Sequence, residues 1–70
     1  MPELSYQGKR LLSLVEESED YDPILVWEPQ SQKIWYIDME HEVFHAVSTW
    51  QEFMERPGYY VNRAIMNDFD

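Results

Sequence analysis

The chain has no cysteine, and among its 70 residues there are only two glycines and five basic side chains. Without cysteine neither a disulfide framework nor a thiolate metal site can form, which suits a reducing compartment and makes the cytoplasm the expected location. With only Gly8 and Gly58 available, a glycine-rich loop cradling phosphate is excluded. No apolar run approaches the roughly 18 residues that a spanning helix requires. The start, M-P-E-L-S-Y-Q-G-K-R, also lacks the basic head, apolar core and small-residue cleavage site of a signal peptide. The expectation is a chain that neither crosses a membrane nor is secreted by that route. Serine or cysteine nucleophile motifs and paired carboxylates at catalytic spacing are missing as well, so no enzyme class is indicated apart from one pentapeptide considered below.

What the chain does have is acid: 14 Asp and Glu against 5 Lys and Arg, a formal net charge of −9. Phosphates would be repelled at long range, which disfavours direct contact with nucleic acid or an anionic membrane and favours a basic protein partner. Five of the carboxylates, Glu16, Glu17, Glu19, Asp20 and Asp22, crowd the stretch E-E-S-E-D-Y-D, which reads as a loop closed by Pro23. That loop lacks the glycine-centred spacing of an EF-hand, so a solvated acidic segment, or one imitating the phosphate spacing of a nucleic acid, is the reading it supports. Aromatics, among them Trp27, Trp35 and Trp50, make up 16% of the residues and argue for a packed domain rather than a disordered acidic tail. A chain this short buries only about 60% of the surface its unfolded form exposes, so one small domain with a marginal core is expected.

Local patterns predict an α+β domain. Leu4, Leu11, Leu12 and Val15 lie near one helical face and predict an N-terminal helix running to about Ser18. I-L-V-W-E and K-I-W-Y-I-D, separated by P-Q-S-Q, predict a hairpin with Glu28 opposite Lys33. A third strand, V-F-H-A-V, extends it to a three-stranded antiparallel meander with Ile37 opposite Phe44, Tyr36 opposite His45, Trp35 opposite Ala46 and Ile34 opposite Val47. Thr49 with Glu52 three residues on is a capping box, followed by Trp50, Phe53 and Met54 at helical spacing and stopped by Pro57 and Gly58, so a short helix is predicted over 49–56. Residues 59–70 fit either a helix or an edge strand, with helix preferred.

Both faces of this meander are apolar, and one helix cannot cover both. Ile24, Val26, Trp35, Ile37, Phe44 and Ala46 form the expected core face. The other face carries Trp27, Tyr36 and His45, whose polar handles amid apolar area suit a contact surface. The strand, turn, strand, capped-helix order from W-Y-I-D to E-F-M-E resembles the second half of domains in the SUKH immunity superfamily, and no site residue is carried over from it.

The pentapeptide H-E-V-F-H, residues 41–45, matches H-E-x-x-H, which in a helix stacks two imidazoles about 5–6 Å apart around a zinc ion with a general base between them. In a strand the same two residues lie roughly 13 Å apart and cannot share an ion. The capping box at Thr49, the strand-forming V-F-H-A-V and the turn-like D-M-E-H-E all favour the strand. The reading is therefore a non-enzymatic module without cofactor, an adaptor or inhibitor of a basic partner, with Trp27, Tyr36 and His45 joined to Glu16, Glu17, Glu19, Asp20 and Asp22 as its contact residues. A zinc-dependent hydrolase using His41, Glu42 and His45 is the alternative, and self-association into a homodimer a third course.

Overall fold

The computed structural model describes residues 3–14 and 24–70. Within them five strands precede two helices: β1 (Glu3–Tyr6), β2 (Lys9–Ser13), β3 (Leu25–Glu28), β4 (Lys33–Asp38), β5 (Val43–Thr49), α1 (Trp50–Glu55) and α2 (Pro57–Ile65). Every strand is antiparallel to the next in sequence, giving the order β1-β2-β3-β4-β5. The expected architecture of a three-stranded meander behind an N-terminal helix is thus corrected to a five-stranded sheet with both helices after it.

The physical reason for that correction lies at Gln7 and Gly8. Both have positive φ, 52° and 75°, as a two-residue type I′ hairpin turn demands, and glycine reaches such values without strain. Leu4 then faces Leu11, and Tyr6 faces Lys9, across the β1–β2 pair. Leu11 is buried with Val26 and Ile37 while Leu12, pointing to the opposite face, is half-buried, so two adjacent leucines mask a strand's usual alternation. Their spacing, taken alone, imitates a helix. The expected helical residues 15–18 lie outside the described residues.

Further along, the observed pairing matches the expected one closely. Glu28 faces Lys33 and Leu25 faces Tyr36, while Ile37 faces Phe44, Tyr36 faces His45 and Trp35 faces Ala46. The difference is a bulge between Ile34 and Trp35, where Ile34 meets Ser48 in place of Val47. Val47 is the extra residue and packs against the helix-side core.

α1 and α2 cover one face of the sheet only. Leu25, Ile34 and Tyr36 are buried there against Phe53 of α1 and Ala64 of α2. On the other face Leu11, Val26 and Ile37 are buried beneath Leu4, Tyr6, Trp35 and Phe44, with no helix over them among the described residues. Tyr6 sits edge-on to Phe44 (4.9 Å) and Phe44 stacks on Trp35 (4.7 Å), so the sheet is coiled enough for residues of its two outer strands to touch. Both faces therefore contribute core, and each fully buried aliphatic side chain stabilises the fold by about 1.5–3 kcal/mol relative to exposure.

The capping box is present in full: Thr49 Oγ1 accepts from the Glu52 N–H (3.1 Å), and Glu52 Oε1 accepts from the Thr49 N–H (3.0 Å). α2 begins with Pro57 in its first turn, where proline's missing N–H costs nothing. It ends in a Schellman motif: Asn67, at φ 58°, donates to the Ala64 carbonyl and Asp68 to that of Arg63. That reversal carries residues 67–70 back over the sheet.

Candidate functional site

The strand directions gather Glu3, Asp38, Glu40 and Glu42 at one end of the sheet. β4 ends and β5 begins there, joined by the turn 39–42 that holds Glu40, His41 and Glu42. Glu3 opens β1 at the same end, and Leu14 donates to the Leu25 carbonyl there (3.0 Å), on either side of the acid-rich 15–23 stretch. Lys9 and Lys33 lie at the opposite end, where β1 turns into β2 and β3 into β4. Met39, in the acidic turn, is an exposed apolar side chain.

The returning segment after α2 completes this end. Tyr36, fully buried on β4, donates through its hydroxyl to Asp70 Oδ1 (2.6 Å), with Asn67 Oδ1 at 3.3 Å. Phe69 packs on the rings of Tyr36 and His45, and His45 Nε2 donates to the Phe69 carbonyl (2.6 Å). In the turn, Asp38 Oδ1 accepts from the His41 backbone N–H (3.2 Å). His41 Nδ1 lies 2.7 Å from Asp38 Oδ2 and 3.3 Å from Asp70 Oδ2. Asp38, His41 and Asp70 thus bring one ligand atom each within 4.8 Å of the others.

Electrostatics follow from this geometry. The hydrogen bond from the His41 ring to the Asp38 carboxylate is the main cause that raises the His41 pKa above its ordinary value, and the same bond holds Asp38 low against its partial burial. Burial first, then the Asp70 carboxylate beside it, push the Tyr36 hydroxyl far up, so it acts only as a donor. A second polar cluster stands at the other end of the sheet. The buried Glu28 carboxylate accepts from Ser31, Lys9 Nζ (3.2 Å) and Trp35 Nε1 (3.2 Å), and Lys9 lies over the Trp35 ring (4.9 Å). Those contacts, led by Ser31, keep Glu28 ionised below its usual range despite burial.

The residues singled out from sequence are dispersed. His41 occupies the turn and His45 the following strand, each ring bonded to a different part of the returning segment, so the helical geometry of a zinc hydrolase at His41, Glu42 and His45 is absent. Tyr36 is fully buried and Trp27 half-buried, stacked on Trp50 (4.8 Å) with its indole N–H enclosed and without an acceptor among the described residues. The face they share is the one α1 and α2 cover, and of the three only His45 remains exposed. Glu16, Glu17, Glu19, Asp20 and Asp22 lie outside the described residues. Sequence reasoning passed over Asp38 and Asp70. Asp38 carries a local signal, since an aspartate three residues before a turn histidine readily caps it; Asp70 is joined only through the fold. No family model, curated protein or solved structure matches this chain.

Proposed function

We propose that the chain is a non-enzymatic binding module whose acidic end docks on a basic protein partner, as an adaptor or as an inhibitor occupying a groove that would otherwise hold nucleic acid. The observation that carries this reading is the segregation of charge. Glu3, paired there with Arg10, and Asp38, Glu40, Glu42 and Asp70 share one end of the sheet, while both lysines lie at the other. A one-sided field of this kind steers an oppositely charged partner and sets its orientation, which the same charges spread evenly would not do. Met39 supplies an apolar contact within the acidic turn. The expected contact role of Trp27 and Tyr36 gives way to a supporting one, since Tyr36 anchors the segment that completes this end.

Affinity capture tests the reading with two baits, the parent chain and a Glu40→Lys/Glu42→Lys variant, each at about 50 mM and about 500 mM salt, on either side of the roughly 10 Å Debye length at 0.1 M. The expected result is a basic protein retained by the parent at low salt, released at high salt and not retained by the variant. Retention of the same proteins by both baits, or in high salt, would refute it.

A further inference from the structure

We infer that Asp38, His41 and Asp70 form a binding site for one divalent transition-metal ion, which ties the segment after α2 to the β4–β5 turn. The site is separate from the H-E-x-x-H reading, because it takes His41 without His45 and draws its other donors from the end of β4 and from beyond α2.

The geometry carries the inference. Each carboxylate has one oxygen already occupied by a different part of the fold: Asp38 Oδ1 by the His41 backbone N–H, and Asp70 Oδ1 by the hydroxyl of the fully buried Tyr36. The remaining oxygen of each, Oδ2, is turned to the same atom, His41 Nδ1. This is how metal-binding carboxylates are held, with an outer hydrogen bond fixing the ligand so that its free lone pair is aimed. Tyr36 suits that task because its ring is fixed in the core and its hydroxyl is aimed at Asp70 Oδ1.

Spacing and charge agree. Nitrogen and oxygen donors about 2.0–2.2 Å from zinc in a tetrahedron stand roughly 3.3–3.5 Å apart. His41 Nδ1 and Asp70 Oδ2 are already at 3.3 Å, and the 2.7 Å contact with Asp38 is a hydrogen bond that opens by a few tenths of an ångström when an ion takes the place of the shared proton. Two carboxylates side by side in a chain of net charge −9 call for a cation between them, and a divalent ion neutralises both. The His41 side chain is 57% exposed, which leaves a route in and room for water at a fourth position. One imidazole and two carboxylates suit zinc, nickel or cobalt better than calcium or magnesium, which favour all-oxygen shells.

Calorimetric titration of the metal-free chain with zinc chloride tests this, with circular dichroism establishing that each variant is folded. One saturable site is expected, weakened by about tenfold or more in His41→Gln and in Asp70→Asn, with Tyr36→Phe weaker by about 10–100-fold through loss of the anchoring hydroxyl. His45→Gln should weaken affinity far less than His41→Gln, because His45 holds only the Phe69 carbonyl beside Asp70 and supplies no ligand atom, which separates the site from the histidine pair. Binding retained in His41→Gln would assign the ion to the carboxylates of 16–22 and overturn the inference. No saturation below ~100 μM, a free energy of only about −5.5 kcal/mol, would overturn it equally. Neither outcome depends on the partner reading above, which is tested by charge reversal at Glu40 and Glu42 without metal.

Discussion

Phe53 is the buried residue of α1 and the side chain through which the helical layer is pinned to the sheet. α1 has six residues, far fewer than the about 12–15 that an isolated helix needs to persist in water, so its order depends on that contact. Truncating a buried phenylalanine to alanine costs about 3–5 kcal/mol. The lower figure applies here, because Phe53 keeps 7% exposure and its ring neighbours Trp50 and Tyr60, at centroid distances of 6.3 and 6.0 Å, can lean into the void. A chain of 70 residues has a total stability of about 4–10 kcal/mol, so Phe53→Ala removes between a third and most of it. Thermal unfolding followed by far-UV circular dichroism should show Tm lowered by about 12–24 °C, and Phe53→Leu, at about 1 kcal/mol, by about 4–8 °C. Near-UV dichroism should lose its tryptophan signal in the same transition, because Trp27 and Trp50 stack beside this ring. A Phe53→Ala protein melting within about 4 °C of the parent would refute the reasoning, since the helices would then be held by something other than this contact.

Three further outcomes follow from the fold. Thr49→Ala removes the Oγ1 half of the capping box and should cost about 1 kcal/mol in chemical denaturation; the backbone N–H of residue 49 still donates to Glu52, so Glu52→Ala in the same background should cost about a few tenths of a kcal/mol more. Gln7→Asn should raise the unfolding free energy from chemical denaturation by about a few tenths of a kcal/mol, since asparagine tolerates the φ of 52° at the first position of the β1–β2 turn better than glutamine does. Glu28 sits below its usual pKa of 4.5 in the folded chain, so its contribution to stability is present above that pH and is lost as pH falls through the folded value; Glu28→Gln should therefore flatten the acid side of a Tm-against-pH profile, and an unchanged acid limb would refute it.

How far the fold could be read depended on how locally each element is encoded. The capped helix and the β3–β4–β5 register were legible because a capping box, a four-residue turn and opposed charges at Glu28 and Lys33 all act within a few residues. The β1–β2 hairpin was not, because glutamine replaces the asparagine or aspartate that usually precedes glycine in such a turn, and because the adjacent Leu11 and Leu12 mask the alternation of β2. The second core, on the face of Trp27, Tyr36 and His45, was missed for a related reason. Trp27, Tyr36 and His45 carry polar atoms, yet Tyr36 can be buried since Asp70, 34 residues away, satisfies its hydroxyl. His41 was found for its motif, but its observed partners belong to Asp38 beside it and to Asp70, which no sequence spacing connects.

The sequential order of the strands has a consequence for how the molecule comes together. Since each strand pairs only with its neighbour along the chain, the sheet can grow hairpin by hairpin, and each step closes a short loop at small entropic cost. The Tyr36–Asp70 contact is different in kind, closing a span of 34 residues that requires the turn after α1 and the reversal after α2 to be in place. It is therefore among the last contacts to form, and the Asp38–His41–Asp70 cluster exists only once everything before it has folded. A cation held there would act as a latch on the finished molecule and would slow its opening more than it hastens its folding.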